Sequence, residues 1–551
     1  MTNSVAELLT DAATDRPDDT AIVDSASGRR VTWRELDEEV DRVAAGLTAE
    51  GVVAGYRVVL SLGNRLEFIT SYLGALRAQL VAVPVNPRST PNEIARMMAD
   101  CSARVIVADP DTIGPVREAV GLLETARSGG FEGIDPALLD GVPTARVIAV
   151  GCTLQPTERS YDHLLSAAAE HRSRQLLPVN DPESLAVLLY TSGTSGRPRG
   201  VMLTHRALLA NIEQIASVEP AMIAVDDVLL GVLPLFHVYG LNAVLGASLR
   251  MQTRLVLAPG FHPSGTLDLI EDEAISVVPV APPVFPHWLG MEDLAERLGP
   301  VRLVLSGSAP LAAEVIEEFQ KLSGVAVHQG YGLTEASPVV TSTLCGSESG
   351  IGSVGVALPG IEIRLKDEDG RAPEGSDPGD IEIRGANLFS GYWPDGQGGP
   401  DEEGWWATGD VGFLSPEGAL SLVDRRKELV IVSGFNVYPS EVEEVLGEVP
   451  GVTAAAVIGV PDETTGEAVV AYVVSDGDPV EVEEAVRAHA TEKLARFKQP
   501  TTVNVVAELP YTVTGKVQKG RLRAAARRLA APLIDDPADA ASTPSTRSAT
   551  R

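Results

Sequence analysis

LAVLLYTSGTSGRPRGVMLTH, residues 185–205, is the stretch that decides how this chain is read. Its first six residues form an apolar run of strand length, and a helix is expected to start near His205. Between them Thr191, Ser192, Gly193, Thr194, Ser195 and Gly196 are all small, hydroxylated or glycine. Such a turn lets backbone N–H groups come close to phosphate oxygens, and its hydroxyls add further hydrogen bonds. A plain surface turn needs neither the hydroxyls nor the arginines that follow at 197 and 199. Gly196 is followed by Arg197 and Pro198, so the turn is not a Gly-Lys-Ser/Thr phosphate loop. No serine of the chain sits in a Gly-x-Ser-x-Gly elbow, which removes the main sequence support for a serine hydrolase.

Outward from this turn, short apolar runs such as RVVLSL, VAVPVN and ARVIVAD alternate with helix-like segments such as Pro91 to Asp100. That alternation predicts an α/β architecture with mostly parallel sheets. From Gly352 short strands punctuated by Gly, Pro and Asp, among them GIEIRLKDEDG and DIEIRG, predict a β-rich subdomain. After Asp424 a helix over Pro439 to Leu446 and the strands TAAAVIGV and EAVVAYVVS predict a second, smaller α+β domain. The expected division is a large N-terminal domain over 1–423, a small C-terminal domain over 424–530 and a disordered tail over 531–551.

Composition narrows the function. With 551 residues the chain is long enough for two or three domains. Its 44 Lys+Arg against 76 Asp+Glu give a net charge of −32, which disfavours nucleic acid and anionic membranes as partners. A phosphate-bearing ligand therefore needs a local cluster of donors. Cys101, Cys152 and Cys345 are widely spaced, with no CxxC pair, so neither a disulfide framework nor a zinc site is signalled. The acidic N-terminal stretch lacks the basic region of a secretion signal, and a cytoplasmic location is expected. Val228 to Leu249 contains no Asp, Glu, Lys or Arg, yet Pro234, His237 and three glycines interrupt it. It reads as a buried strand, a loop and a core helix rather than a membrane span.

Five segments, in order, carry a resemblance. They are the turn above, QGYGLTEASP (Gln329 to Pro338), WWATGDVG (Trp405 to Gly412), DRRKELVIVSGFNVYPSEVE (Asp424 to Glu443) and PYTVTGKVQKGRLR (Pro510 to Arg523). Together they resemble the motifs of the adenylate-forming superfamily, which includes acyl-CoA synthetases, peptide-synthetase adenylation domains and luciferases. The resemblance implies an enzyme using ATP, Mg²⁺ and coenzyme A, in which a carboxylate attacks the α-phosphorus of ATP and a thiol then attacks the acyl-adenylate. Its small C-terminal domain would be mobile, turning about a hinge at Asp424 between the two half-reactions.

The same resemblance assigns roles. Lys516 matches the lysine that bridges carboxylate, ribose and α-phosphate. Glu335 matches the Mg²⁺ ligand, a hard carboxylate suited to a hard cation, and Thr334 would bond the α-phosphate. Tyr331, within Gln329, Gly330, Tyr331 and Gly332, would stack on adenine, with core packing as the alternative. Gly307, Ser308 and Ala309, of a turn running to Pro310, would form the other adenine wall. Asp410 would accept the ribose hydroxyls, with Arg425 as its partner. Ser433 and Gly434 would line the pantetheine channel, where some relatives carry Lys in place of Ser433. Arg199 stands where the family usually has Lys, and a planar guanidinium is no simple substitute for an ammonium.

For the acid, LPLFHVYGLN (Leu233 to Asn242) resembles the acid-pocket segment of fatty-acyl and aryl-propenoyl ligases, with His237 at the gate or, equally, packed in the core. Val238, Gly240, Val339 and Val340 suit an alkyl tunnel, and SGFNVYP most resembles bacterial fatty-acid–CoA ligases. A medium- or long-chain fatty acid is therefore expected. The alternatives are an aryl acid, a fatty-acyl-AMP ligase loading a carrier protein, and a non-catalytic nucleotide-binding protein. Monomer and homodimer both stay open.

Overall fold

Continuous apolar runs, too short for helices, become strands buried on both faces. The structure is a computed structural model that describes residues 2–129, 134–140, 142, 144–170, 178–191, 199–309, 311–346, 352–367, 369–373, 377–425, 428–432, 435–462, 465–512 and 515–530. The chain divides into two units, Met1–Arg426 with Val513–Lys516, and Lys427–Thr512 with Val517–Arg551. The tail expected to be disordered, 531–551, lies outside the described residues.

The large unit is built on two mostly parallel sheets. One has seven strands in the order Arg159–Ser160, Arg146–Ala149, Val105–Ala108, Arg57–Ser61, Val81–Pro84, Leu185–Thr191, Arg199–Thr204. Helices Leu66–Arg77, Pro91–Asp100 and Ile113–Arg127 alternate with its strands along the chain, as βαβ connections require. Pro91–Asp100 starts where a capping box of Thr90 and Glu93 fixes it, with proline in its first turn. Only the last pair is antiparallel: Thr191 faces Arg199, so the Ser/Thr/Gly turn closes a hairpin. The sequence reading passed from strand to helix and missed Arg199–Thr204, because GVMLT is too short to show a period of its own.

The second sheet has nine strands in the order Val356–Ala357, Val339–Ser342, Val327–Gly332, Leu303–Ser306, Val277–Val280, Val228–Gly231, Arg254–Leu257, Thr20–Asp24, Arg29–Thr32. From Val327–Gly332 to Thr20–Asp24 every pairing is parallel. The uncharged Val228–Leu249 stretch resolves into a strand, a loop and a π-helix, Tyr239–Gly246, that runs on into the α-helix Ala247–Met251. Among the described residues no helix is long and apolar enough to cross a membrane. Helices Trp33–Ala49 and Leu66–Arg77 share with faces of both sheets the largest apolar core, which includes Trp33, Phe68 and Tyr72.

A four-stranded antiparallel sheet, Ile361–Lys366, Gly379–Gly385, Trp405–Leu414 and Leu420–Arg425, completes the large unit. The β-rich region expected from Gly352 is thus shared, since Val356–Ala357 pairs into the nine-stranded sheet. The small unit is α+β: Ala454–Asp462 and Gly466–Val474 pair over nine residues, and Thr502–Val506 lies parallel to the second of them. Helix Pro439–Gly447 opens on proline, with no capping bond from the side chain of Tyr438. The whole is a mixed α/β chain with a large N-terminal domain of parallel sheets, a β-rich part and a C-terminal domain.

Candidate active site

In parallel α/β sheets ligands gather at the carboxyl ends of the strands, where chain leaves the sheet. Three candidate segments leave the nine-stranded sheet there: Leu233–Val238 after Val228–Gly231, the turn at Gly307 after Leu303–Ser306, and Leu333–Pro338 after Val327–Gly332.

The first two meet at Tyr239. Its hydroxyl donates to the Leu305 carbonyl at 3.3 Å, and its ring lies so close to Gly307 that an added Cβ would sit 2.8 Å from Cε1. Gly307 is therefore glycine for space. Ser308, next in the turn, holds a left-handed φ of +77°, and Ala309 follows it. His237 accepts the Tyr239 backbone N–H on Nδ1 at 3.3 Å, which leaves the ring proton on Nε2. Burial, and after it the positive charge of Lys516, push the His237 pKa down to about 4, so the imidazole is neutral at pH 7. Lys516 itself falls within the part of the chain counted with the large unit. Val238 and Val340 are fully packed core residues, and Val339 is partly buried.

Gln329, Gly330, Tyr331 and Gly332 lie along the strand Val327–Gly332. The Gln329 amide donates to Ser353 O at 3.0 Å, and added Cβ atoms at Gly330 and Gly332 would meet carbonyl oxygens of Thr341 and Pro338 at 2.5 and 2.3 Å. These glycines let two backbones touch. Tyr331, nearly buried, donates its hydroxyl to Asp410 Oδ2 at 2.6 Å. The two residues singled out for adenine and ribose, 79 positions apart, are thus in direct contact. Asp410 lies opposite Arg425 in the antiparallel pair of Trp405–Leu414 with Leu420–Arg425.

Thr334 and Glu335 form a single 3₁₀ turn, Thr334–Ala336. The Glu335 carbonyl accepts Phe389 N–H at 2.9 Å, and its Oε1 accepts the Tyr392 hydroxyl at 2.9 Å. The Arg199 guanidinium lies over the Tyr392 ring, 3.6 Å from its centroid. The backbone of 390–393 is tied to the hairpin: Ser390 donates to Met202, Met202 to Gly391 and Trp393 to Gly200. Of the remaining candidates, Ser192, Gly193, Thr194, Ser195 and Gly196, with Pro310, Ser433 and Gly434, lie outside the described residues, while the described Thr191 and Arg199 are the hairpin's facing ends.

Three polar residues that the motifs did not reveal hold this edge together. Asn64, buried, donates to the Gly231 and Leu233 carbonyls at 3.3 and 2.9 Å and accepts from Leu235 N–H at 2.9 Å, fixing the segment that carries His237. Asn211 grips both backbone groups of Val339. Tyr392 is the third. Each is one polar residue in an otherwise ordinary stretch, and only distant backbone partners reveal its task.

A model of the AMP-binding enzyme family matches residues 9–393, and one of the AMP-binding enzyme C-terminal domain matches 441–516. The chain belongs to the AMP-binding enzyme family. It is 34% identical to a long-chain-fatty-acid–CoA ligase of Bacillus subtilis over 94% of both chains, and 31% identical to 4-coumarate–CoA ligase 5 of Oryza sativa over 93% of this chain and 92% of that one. Among solved structures, ATP-bound MatB from Rhodopseudomonas palustris superposes with a TM-score of 0.83 at 32% identity, covering 96% of this chain and all of that one. Within the AMP-binding enzymes the chain falls among the AMP-forming acyl-CoA ligases, acting on a small-molecule acid with ATP, Mg²⁺ and coenzyme A.

The site's chemistry fits such a metal. Among the described residues no group of three or more His, Cys, Asp or Glu could hold an ion by itself. Glu335 offers one carboxylate, with only Oε1 engaged by a protein donor. Magnesium takes most of its oxygens from water and substrate phosphate, so one carboxylate beside a phosphate turn is the expected provision.

Proposed function

We propose that this ligase converts a medium- or long-chain fatty acid to acyl-AMP and then to acyl-CoA, releasing pyrophosphate and AMP, in the cytoplasm. The observation that carries the reading is the Tyr331–Asp410 contact, which sets an aromatic face and an acceptor-only carboxylate side by side at the carboxyl edge of the parallel sheet. A flat ring suits the adenine base, and an ionised carboxylate suits two ribose hydroxyls.

In the adenylation half, the carboxylate and the triphosphate repel each other. Their approach depends on fixed donors that oppose the growing charge. Lys516 supplies a cation to carboxylate and α-phosphate, Thr334 a hydroxyl, and Thr191 through Gly196 with Arg199 the cradle for the other phosphates. Glu335 would hold Mg²⁺, which supplies charge neutralisation on the phosphate oxygens. A neutral His237 places an uncharged N–H between the acid and the nucleotide, where a cation would capture the carboxylate. In the thioester half, the domain 424–530 would turn about Asp424, withdraw Lys516, and bring Ser433 and Gly434 beside the thiol. Gly307, Ser308, Ala309, Gln329, Gly330 and Gly332 shape the adenine side, and Arg425 joins Asp410 on the ribose.

The fatty-acid reading is supported by the apolar character of the His237 segment and by SGFNVYP. An aryl acid is the second reading, favoured by the 4-coumarate–CoA ligase relatives. A panel from acetate to oleate, with 4-coumarate and benzoate added, tests the choice by pyrophosphate release and thioester formation. Preference for a C8–C18 acid with acyl-CoA as product is expected. Release with 4-coumarate alone would replace the first reading by the second, and AMP without thioester would indicate a carrier-protein acceptor.

A further inference from the structure

Arg199 is the family lysine's replacement, and the assigned roles leave it without a specific contact. Among the described residues it has no ion-pair partner, in a chain of net charge −32 where carboxylates are plentiful. Its guanidinium is instead anchored on the Tyr392 ring. That ring is held on every side: Phe389 meets it edge-on at 5.0 Å, Trp406 backs Phe389 at 5.1 Å, and an added Cβ on Gly398 would stand 3.2 Å from it. The backbone of Tyr392 is equally fixed, bridged to Val201 in the hairpin and bonded to Gln397 and Gly396. A tyrosine so confined presents its hydroxyl at one place, and that place is Glu335 Oε1, 2.9 Å away.

We propose that Tyr392 is a positioning residue that couples the base of the phosphate turn to Glu335, its ring seating the Arg199 guanidinium while its hydroxyl aims the carboxylate. This rests on the reading of Glu335 as the residue that meets the metal. A hydrogen bond to one carboxylate oxygen fixes the rotamer and leaves the other oxygen to bind, as partners behind metal ligands commonly do. The arrangement also accounts for arginine at 199. A planar guanidinium stacks flat on an aromatic face, where an ammonium is a compact point charge that keeps its water. The turn's descending strand and the metal-facing carboxylate then move as one piece.

The test uses the full chain with Mn²⁺ in place of Mg²⁺ and ATP without acid, counting free Mn²⁺ by electron paramagnetic resonance. Tyr392→Phe keeps the ring and the stack and removes only the hydroxyl. It is expected to weaken Mn²⁺ binding about 5- to 10-fold, the low end of what such partners contribute, while ATP binding in EDTA stays within about 2-fold. Glu335→Gln should weaken Mn²⁺ binding at least as much, and the double variant should match Glu335→Gln alone. Arg199→Ala, which leaves Tyr392 in place, should give a smaller loss of about 2- to 4-fold, and it decides the matter if Tyr392→Phe does not fold. Parent-like Mn²⁺ binding by Tyr392→Phe, or additive losses in the double variant, overturns the coupling while leaving Glu335 as the metal residue. Parent-like binding by Glu335→Gln overturns both.

Discussion

Replacing Asn64 by alanine removes three hydrogen bonds from a side chain that is only 8% exposed. Each such bond contributes roughly 1 kcal/mol net, and a buried group left unpaired costs about 1–3 kcal/mol more unless water reaches it. The carbonyls of Gly231 and Leu233 and the N–H of Leu235 all lose their partner, so a destabilisation of about 3 kcal/mol is expected. The damage falls on the segment that carries His237 and leads into Tyr239. Adenylation kcat should therefore drop while the KM for ATP changes little. Asn64→Asp sharpens the test: it keeps the acceptor but points a carboxylate at two carbonyl oxygens, and should be at least as harmful as alanine. Urea unfolding of the full chain, with acid-dependent pyrophosphate exchange, measures both effects. An aspartate variant with parent stability and rate would refute the reasoning, because three backbone contacts would then be incidental.

Lys516→Ala should lower acid-dependent pyrophosphate exchange by about 10²-fold or more, the scale of losing one transition-state donor, with ATP binding by calorimetry largely kept. His205 is buried, with Nδ1 accepting Val5 N–H, and burial pushes its pKa down to about 4. The unfolded chain therefore binds a proton first as pH falls, so stability is full above about pH 6.5 and is lost from there to about pH 4, by on the order of 3 kcal/mol. His205→Gln should flatten that part of the pH–stability curve, and an unchanged slope would count against it. Gly307→Ala would force a methyl against the Tyr239 ring, so a loss of about 1–3 kcal/mol is expected in chemical unfolding, together with a raised KM for the acid.

The α/β class and most strands were legible because buried parallel strands are written as continuous apolar runs, and Pro91–Asp100 because its cap and proline announce it. The candidates Tyr331 and Asp410 were legible only through motif resemblance; their contact across 79 positions has no local trace. Arg199–Thr204 was missed because five or six residues between a glycine-rich turn and a helix show no period. Asn64, Asn211 and Tyr392 were missed for a different reason. Each earns its place through backbone groups or side chains brought near by the fold, and a single Asn or Tyr in an unremarkable stretch carries no sign of them. Gly330 and Gly332 were read as ligand contacts, yet the carbonyls of Thr341 and Pro338 already require glycine at both.

The bonds that tie residues 390–393 to Arg199–Thr204 have one more consequence. That strand ends the seven-stranded sheet, and an unpaired outer strand is a template on which a second molecule can add its own. Here the template is capped from within by the segment that carries Tyr392. Loosening it by proteolytic nicking or by a substitution at Gly391 would leave a sticky border open to neighbours, so poor metal response and clumping of the protein should arrive together.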